Sequence, residues 1–154
     1  MDIDALLLER SGIHLDIGCG AAKQGPDWVG MDKRDLPGVD IVHDWNEYPW
    51  PLPDGCVLRA IASHVVEHVN PADGGFIRWM DELWRIMRVD GRVAMAVPHA
   101  WSRGFAQDPT HCNACNEVTW CYFDPFHASG LWRIYRPRPW AIEMLAYDYA
   151  SNVE

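Results

Sequence analysis

The residues best suited to hold a ligand lie near the amino terminus, where an apolar segment runs into a glycine turn. Ile13–Ile17 carries apolar residues at alternate positions and predicts a buried strand. Gly18 and Gly20 follow it directly, and glycine lets the backbone adopt a positive φ and approach a ligand without a Cβ atom in the way. Because open α/β sheets bind ligands beyond the carboxyl ends of their strands, this turn is a predicted cofactor site.

Polar residues stand at the ends of three further predicted strands. They are Asp32 after Trp28–Met31, Asp44 after Val39–Val42, and Ser63 with His64 after Val57–Ala62. An acid after the second strand is the residue that binds ribose hydroxyls in dinucleotide-binding folds. Asp44 could accept a hydrogen bond from an exocyclic amine, and Trp45 could stack on a base. Taken alone, Asp32 could equally cap a helix or a turn, and Asp44 could be an acid of a surface loop. Together these positions predict one nucleoside-binding crevice.

The glycine turn differs from a dinucleotide site in two respects. The nicotinamide fingerprint needs a third glycine at a position that Lys23 occupies here. The segment between Gly20 and Trp28 is also too short for a crossover helix, so a pyrophosphate would lack the helix terminus that normally binds it. A nucleoside cofactor without phosphate groups fits these residues better.

Hydrophobic spacing predicts the other elements. The clearest amphipathic helix follows Asn70 as N-cap, with Pro71 in its first position and Gly91 just past its end. Residues 99–130 predict a long loop over the site. The remaining predictions are helical turns at Ala5–Leu8 and Ser63–Val69, a fifth strand at Arg92–Val97, and strands at Leu131–Tyr135 and Ala141–Tyr149.

The composition fits one globular domain over residues 1–154, with 49% hydrophobic residues. No apolar run is long enough for a membrane span, and no basic leader is present. A net charge of -9 argues against binding nucleic-acid phosphates over a broad face. Five cysteines without a secretion signal favour reduced thiols and a cytoplasmic location.

The same segments resemble the class I S-adenosylmethionine-dependent methyltransferases over about residues 13–150. His14–Gly20 looks like the first motif of that family, and Gly30-Met31-Asp32 looks like the second. The other similar segments are Val39–Asp44 with the Pro-rich loop after it, Ala62–His68 and Arg85–Arg92. Asp108-Pro109-Thr110-His111 recurs in a compact subgroup that lacks the first crossover helices.

The resemblance implies a Rossmann-like α/β fold with a mainly parallel open sheet, reduced helices on one face, and the last strand of the family missing. It implies S-adenosylmethionine as the cofactor, with Asp32 at the ribose. Asp16, Gly18 and Gly20 would lie near the methionine part, Asp44 and Trp45 at the adenine, and Ser63 in the same crevice. The chain departs from the family at Ala22, where a third glycine is frequent.

Methyl transfer needs chiefly positioning, together with a base where the acceptor is a hydroxyl or a protonated amine. His64 and His111 are the predicted bases, ahead of His99 and Asp108, although each histidine could instead be structural. The expected acceptor is a small molecule, a sugar or a lipid-linked group, because the acidity of the chain disfavours duplex nucleic acid. An open sheet face or edge predicts a homodimer.

Two functions of other classes stay open. His64-Val65-Val66-Glu67-His68 matches the H-x-x-E-H pattern of inverted zinc peptidases, with two zinc-binding histidines on one helix face and Glu67 as base. An obvious third ligand is lacking, so local packing of Glu67 and His68 is preferred. The other alternative is a non-catalytic module that keeps the fold and binds a partner.

Four residues later in the chain could hold a structural zinc ion. They are Cys112, Cys115, Cys121 and His127. A second Cys-x-x-Cys pair is missing, so reduced thiols without a metal are predicted, and no residue of the chain is assigned to a metal.

Overall fold

The computed structural model of the chain describes residues 5, 7 and 12–148. It divides into two compact units, 1–115 and 116–154. The single domain predicted for residues 1–154 stays a prediction.

A wholly parallel, five-stranded sheet forms the centre of the first unit. Its strands are β1 (Ile13–Ile17), β2 (Trp28–Asp32), β3 (Ile41–Val42), β4 (Val57–Ser63) and β5 (Met87–Ala96). They lie in the order β3-β2-β1-β4-β5, so the direction of winding reverses between β1 and β4. A crevice therefore opens at the carboxyl ends of these two strands, as the predicted Rossmann-like fold requires.

Helices are few in this unit. Helix α1 (Gly75–Ile86) connects β4 to β5, and a short helix α2 (Arg103–Ala106) follows β5. A 3-10 turn at Val66–His68 replaces the helical turns predicted for Ser63–Val69. The connections 18–27 and 33–40 contain no helix, in agreement with the sequence-based prediction.

The two helix-free loops pack directly on β2. A Cβ atom on Gly30 would lie 2.7 Å from Cys19 Sγ and 2.8 Å from the Gly38 carbonyl oxygen. Both distances are too short for any side chain, so Gly30 is the residue that lets the loops occupy this face of the sheet. On the same face, Arg59 of β4 and its register partner Arg92 of β5 are exposed, as is Ala94.

The hydrophobic core lies on the opposite face of the sheet. Its strand residues alternate along β1 and β2, and its helical residues recur along α1 at the spacing of one apolar stripe. They include Ile13, Leu15, Ile17, Val29, Met31, Trp79, Met80, Leu83 and Ile86, all at most 3% exposed. Trp50 extends this core into the Pro-rich loop by packing edge-on against Trp79, with ring centroids 5.6 Å apart.

The predicted ends of α1 are wrong. The helix begins at Gly75 rather than Pro71, because Asn70 Oδ1 accepts a hydrogen bond from Ala72 N and closes a turn instead of capping a helix. Gly74 and Gly75 then adopt positive φ values before the first helical turn. Gly91 lies inside β5, which begins at Met87 directly after the helix.

The second unit contains helices α3 (Glu117–Cys121) and α4 (Trp132–Tyr135). The strand predicted at Leu131–Tyr135 is therefore wrong. Ile134 and Tyr135 are both about 60% exposed, so the burial of alternate residues that would favour a strand is absent. The strand predicted at Ala141–Tyr149 is also wrong for residues 141–148, which are irregular, and Tyr149 lies outside the described residues.

Smaller differences concern element ends. β3 is shorter than the predicted Val39–Val42, and β5 extends further towards the amino terminus than the predicted Arg92–Val97. The turn predicted at Ala5–Leu8 falls partly outside the described residues. In the part of the chain that is described, no helix has the length and apolar character that crossing a membrane demands.

One ion-pair network joins α1 to the Pro-rich loop. Glu82 accepts hydrogen bonds from Arg85 Nη2 at 2.6 Å and from Trp50 N at 2.7 Å. Arg85 also donates to Leu52 O, to Trp50 O and to Asp54. Burial raises the pKa of the Glu82 carboxyl, but these hydrogen bonds and the charge of Arg85 outweigh it and hold that pKa below its ordinary value of 4.5.

Replacing Glu82 by glutamine is expected to lower the free energy of unfolding at pH 7 by about 2 kcal/mol, because Arg85 loses its most buried charged partner. A carboxyl whose pKa falls on folding stabilises the folded state above its unfolded pKa and ceases to do so as the pH drops through the folded pKa. The difference between wild type and E82Q in urea unfolding should therefore shrink below pH 4.5. E47Q, at an exposed position, is the matched control and should change stability by less than about 0.5 kcal/mol.

Candidate active site

The glycine turn after β1 closes over the end of β2. Gly18 N donates to the carbonyl oxygen of Met31 at 2.7 Å, and Gly20 N donates to Asp32 Oδ2 at 3.0 Å. Gly18 and Gly20 have φ values of 69° and 58°, which an L residue adopts only with strain. The turn thus places its own backbone against the acid predicted to bind a ribose.

The two glycines are required for different reasons. A Cβ on Gly18 would lie 2.5 Å from Val65 Cγ2 and 3.6 Å from Trp45 Cζ3, so the space beside Gly18 is filled by the chain itself. A Cβ on Gly20 would meet only Arg34 Nη2, at 3.8 Å. The ligand space predicted beside both glycines is therefore open beside Gly20 and closed by side chains beside Gly18.

Asp32 is a buried, ionised carboxylate. Its Oδ1 accepts hydrogen bonds from Arg34 N at 2.9 Å and from Arg34 Nε at 3.2 Å, while Oδ2 accepts from Gly20 N. Burial raises the pKa of the Asp32 carboxyl, but these hydrogen bonds and the charge of Arg34 outweigh it and hold that pKa below its ordinary range. Since a carboxylate offers about four lone-pair positions, Asp32 retains acceptor capacity for a ligand.

Asp16 is buried near the carboxyl end of β1, the central strand of the sheet. Its Oδ2 accepts a hydrogen bond from Gln24 N at 2.9 Å, which ties the second half of the loop back to β1. Burial raises the pKa of the Asp16 carboxyl, and the hydrogen bond from Gln24 offsets only part of that rise.

The other predicted cofactor residues lie at neighbouring strand ends. Asp44 is half-buried, and its Oδ1 accepts from Asn46 N at 2.9 Å, so it caps a local turn. Trp45 is buried under the glycine turn, and Lys33 Nζ lies 5.6 Å from the centroid of its ring. Ser63 is exposed at the end of β4. Stacking of Trp45 on a base stays a prediction.

A second feature at this edge of the sheet is a cavity of about 290 Å³ beyond the ends of β4 and β5. It is lined by His64, Glu67, His68, Pro98, Gly104, Gln107, Asp108 and His111. Three of the four predicted bases, His64, Asp108 and His111, therefore share one cavity. His99 is not among its lining residues.

The burial of Glu67 and its contact with His64 were not predicted from the sequence. It is fully buried, and its Oε1 lies 3.1 Å from Nδ1 of His64, a residue held at a φ of 56°. The zinc-peptidase hypothesis placed His64 and His68 on one helix face, but Val66–His68 forms a 3-10 turn that excludes His64. The helix that this hypothesis requires is therefore not formed.

The loop that carries His111 is fastened to the 3-10 turn through the backbone. Cys112 N and Asn113 N donate to the Glu67 carbonyl oxygen at 2.8 and 3.2 Å. Asn113 Nδ2 donates to Val66 O and Val69 O at 2.9 and 2.6 Å. His111 and His68 are thereby held with ring centroids 4.7 Å apart.

The fold of the chain is similar to that of solved structures. A SAM dependent methyltransferase from Archaeoglobus fulgidus matches with a TM-score of 0.59 and 23% sequence identity, over 78% of this chain and 64% of that one. The chain has a class I methyltransferase-like fold. It covers less than two thirds of that protein's length.

A second solved structure, a SAM dependent methyltransferase from Aquifex aeolicus, has 18% identity and a TM-score of 0.47 over 73% of this chain and 72% of that one. No family model matches the sequence, and no curated protein matches it. The methyltransferase-like fold therefore rests on structure rather than on sequence similarity.

The cysteines of this methyltransferase-like chain are free thiols. Within the first unit, Cys112 Sγ contacts the Val69 carbonyl oxygen at 3.1 Å, and Cys115 is buried. Within the second unit, Cys121 Sγ lies 3.6 Å from His127 Nε2. None of these residues belongs to the group of potential metal ligands that the described residues contain, which is Glu67, His68 and His111.

Replacing Gly18 by alanine is expected to destabilise the chain by about 3 kcal/mol, because the new methyl group collides with Val65 and the residue has a positive φ. The same change at Gly20 should cost only about 1 kcal/mol, the conformational part alone. Urea unfolding measures both values. The double variant G18A/V65A should recover part of the loss relative to the sum of the single variants. Equal costs at both glycines would contradict the packing explanation.

Proposed function

We propose that the chain binds S-adenosylmethionine at the ends of β1 and β2 and transfers its methyl group to a small polar acceptor in the cavity beyond β4 and β5. The hydrogen bond from Gly20 N to Asp32 Oδ2 is the observation that supports this most. It joins the glycine turn and an ionised acid at one point beside the position where the strand order reverses. Open α/β sheets bind nucleoside ligands at such a position.

The residues at this edge fit the cofactor. Arg34 and Gly20 use three of the roughly four acceptor positions of Asp32, so about one remains for a ribose hydroxyl. The open side of Gly20 leaves space for the backbone to approach a ligand. We assign Asp16 and Gly20 to the methionine end, and Gly18 to the shape of the turn, because Val65 fills the space beside it. Asp44 and Trp45 are assigned to the adenine, and Ser63 to the same crevice. The turn offers no amino terminus of a long helix, which agrees with a cofactor that carries no phosphate.

S-adenosylmethionine supplies a methyl group that is already activated on a sulfonium, so the protein has to orient an acceptor and manage one proton. His64 Nδ1 lies within hydrogen-bond distance of Glu67 Oε1. If Nδ1 carries the proton and donates a hydrogen bond to this carboxylate, the lone pair of the neutral imidazole is on His64 Nε2. We therefore assign His64 Nε2 as the group that accepts the proton of the acceptor, with His111 as the second candidate.

The cavity favours a small acceptor. Its volume of about 290 Å³ is at the lower end of the range for small-molecule sites. Imidazole, carboxylate and amide groups line it, and they suit a hydroxyl or amine better than an apolar group. The net charge of -9 disfavours a polyanionic acceptor, so a small molecule, a sugar or a lipid-linked head group fits best.

Calorimetric titration with S-adenosylmethionine tests the cofactor site. We expect the wild type to bind one equivalent and D32N to bind about tenfold or more weakly, because the amide carries no charge and has one acceptor oxygen in place of two. D35N, at an exposed position of the following loop, is the matched control and should bind as the wild type does. Absence of binding by the folded wild type would overturn the proposal and favour a partner-binding module.

A variant of Asp16 can distinguish an effect on cofactor binding from an effect on stability. Because burial raises the pKa of Asp16 in the folded chain, its ionisation lowers stability as the pH rises from the ordinary value of 3.8 through the folded pKa. The neutral amide of D16N avoids this loss and can still accept from Gln24 N. D16N should therefore unfold at the same or a higher temperature than the wild type at pH 7, yet bind S-adenosylmethionine more weakly. Unchanged affinity would remove Asp16 from the proposed site.

A further inference from the structure

We propose that Glu67, His68 and His111 bind a divalent transition-metal ion, with zinc preferred, in the wall of the cavity. One potential ligand atom from each residue lies within 4.8 Å of the other two. Two imidazoles and one carboxylate with an open position are a donor set of catalytic zinc sites. The metal site shares Glu67 and His111 with the proposed methyl-transfer machinery, but metal binding can be tested without the cofactor.

The hydrogen bond of His111 leaves one ring nitrogen ready to bind a metal. Nδ1 lies 2.9 Å from the Phe105 carbonyl oxygen, which can only accept a hydrogen bond. The proton therefore resides on Nδ1, and Nε2 carries the lone pair. Histidine ligands of metals are commonly oriented in this way by a carbonyl or carboxylate behind them.

His68 is oriented by a second relay. Thr110 Oγ1 lies 2.7 Å from Asp108 Oδ1 and donates its proton to that carboxylate. The same oxygen lies 3.0 Å from His68 Nδ1 and can only accept there, which places the imidazole proton on Nδ1. The His68 Nε2 lone pair is thus also available to a metal.

Glu67 supplies the independent indication that a cation belongs here. The residue is fully buried, and its Oε2 has no hydrogen-bond partner. A buried carboxylate oxygen without a partner is costly, and such groups in native proteins generally have a partner in the complete structure. A metal ion between Glu67 and the two histidines would satisfy this oxygen.

Asp108 adds to the same indication. Its Oδ2 lies 3.7 Å from His111 Nε2, the nitrogen that carries the lone pair. The negative charge of this carboxylate favours a cation bound at His111 Nε2. Asp108 therefore increases the negative potential at the site and also orients His68 through Thr110.

The donor set selects the kind of metal. Imidazole nitrogens suit zinc and its transition-metal neighbours, whereas magnesium and calcium prefer oxygen ligands throughout. Ligands of a tetrahedral zinc ion lie about 3.4 Å apart, given bond lengths of about 2.0–2.1 Å. The side chains would therefore draw together by about 1 Å on binding, while the backbone hydrogen bonds at Glu67 O hold the loop in place.

The test uses untagged, chelator-treated full-length protein and titrates zinc chloride by calorimetry without any nucleoside. We expect one zinc ion per chain for the wild type, and a loss of affinity of about 100-fold or more in H68A, in H111A and in E67Q. H43A is the matched control, because His43 has a comparable exposed hydrogen bond to the Glu47 carbonyl oxygen and lies outside the cluster. It should bind zinc as the wild type does.

Two further measurements keep the outcome decisive if a histidine variant fails to fold. T110V removes only the relay behind His68 and should weaken zinc binding about tenfold without changing the unfolding temperature of the metal-free protein by more than a few degrees. Cobalt(II) in place of zinc should give visible bands without thiolate-to-metal charge transfer. Zinc affinity that is unchanged in both E67Q and T110V, a thiolate spectrum, or no zinc binding by the wild type would each overturn the proposal.

Discussion

Carboxylates perform at this sheet edge the task that crossover helices usually perform. Asp16 accepts from Gln24 N, Asp32 accepts from Gly20 N, and Asp40 accepts from both Gly30 N and Lys23 Nζ. The hydrogen bonds from Gln24, Gly20 and Gly30 tie helix-free loops to β1 and β2. The hydrogen bond from Lys23 ties the two loops to each other. Without them, loops of this length would have no fixed path, because they bury little apolar surface of their own.

This arrangement explains why acids are concentrated where a cofactor is proposed to bind. Two of the side chains that fix the loops, Asp16 and Asp32, belong to the ends of β1 and β2, where the cofactor is proposed to bind. Asp32 is the clearest case, because Arg34 and Gly20 stabilise its charge while a remaining acceptor position stays available. Structure and proposed binding therefore depend on the same few residues, and neutral amide substitutions are the way to separate the two.

The second half of the site depends on a different contact. The loop around His111 reaches the 3-10 turn through hydrogen bonds to backbone carbonyls of Val66, Glu67 and Val69. Residues far apart in the sequence are thus joined by backbone groups, whose pattern leaves little trace in residue types. Side chains contribute as well, since Asn113 Nδ2 and Cys112 Sγ both contact the Val69 carbonyl oxygen, but their residue types do not identify that partner.

Local patterns were sufficient to predict the strands that lead into the crevice. Alternating apolar residues gave β1 with its observed ends, and the short gaps around β2 correctly excluded helices there. The methyltransferase-like fold also followed from the motifs at these strand ends. The start of α1 could not be predicted, because Asn70 closes a local turn and the positive φ values of Gly74 and Gly75 depend on how the chain enters the helix.

The grouping of Glu67, His68 and His111 was equally inaccessible from local patterns. The sequence pointed to His64 and His68 as a pair because of their spacing, and that spacing has meaning only on a regular helix. In the folded chain the partner of His68 is His111 rather than His64, and His111 lies more than forty residues from His68 in the sequence. The short segment Leu131–Tyr135 shows the same limit, since five residues cannot distinguish a strand from one helical turn.

The close approach at Gly30 constrains how such a chain could grow. Cys19 and Gly38, which come from different loops, both lie against the same bare stretch of backbone. Lengthening one of the two loops would move it away from β2, and the other loop would then lose the contacts it makes with it. The two loops therefore have to change length together. A route from this compact form to a fully helical one would therefore require paired insertions, with a larger residue replacing the glycine only after both had occurred.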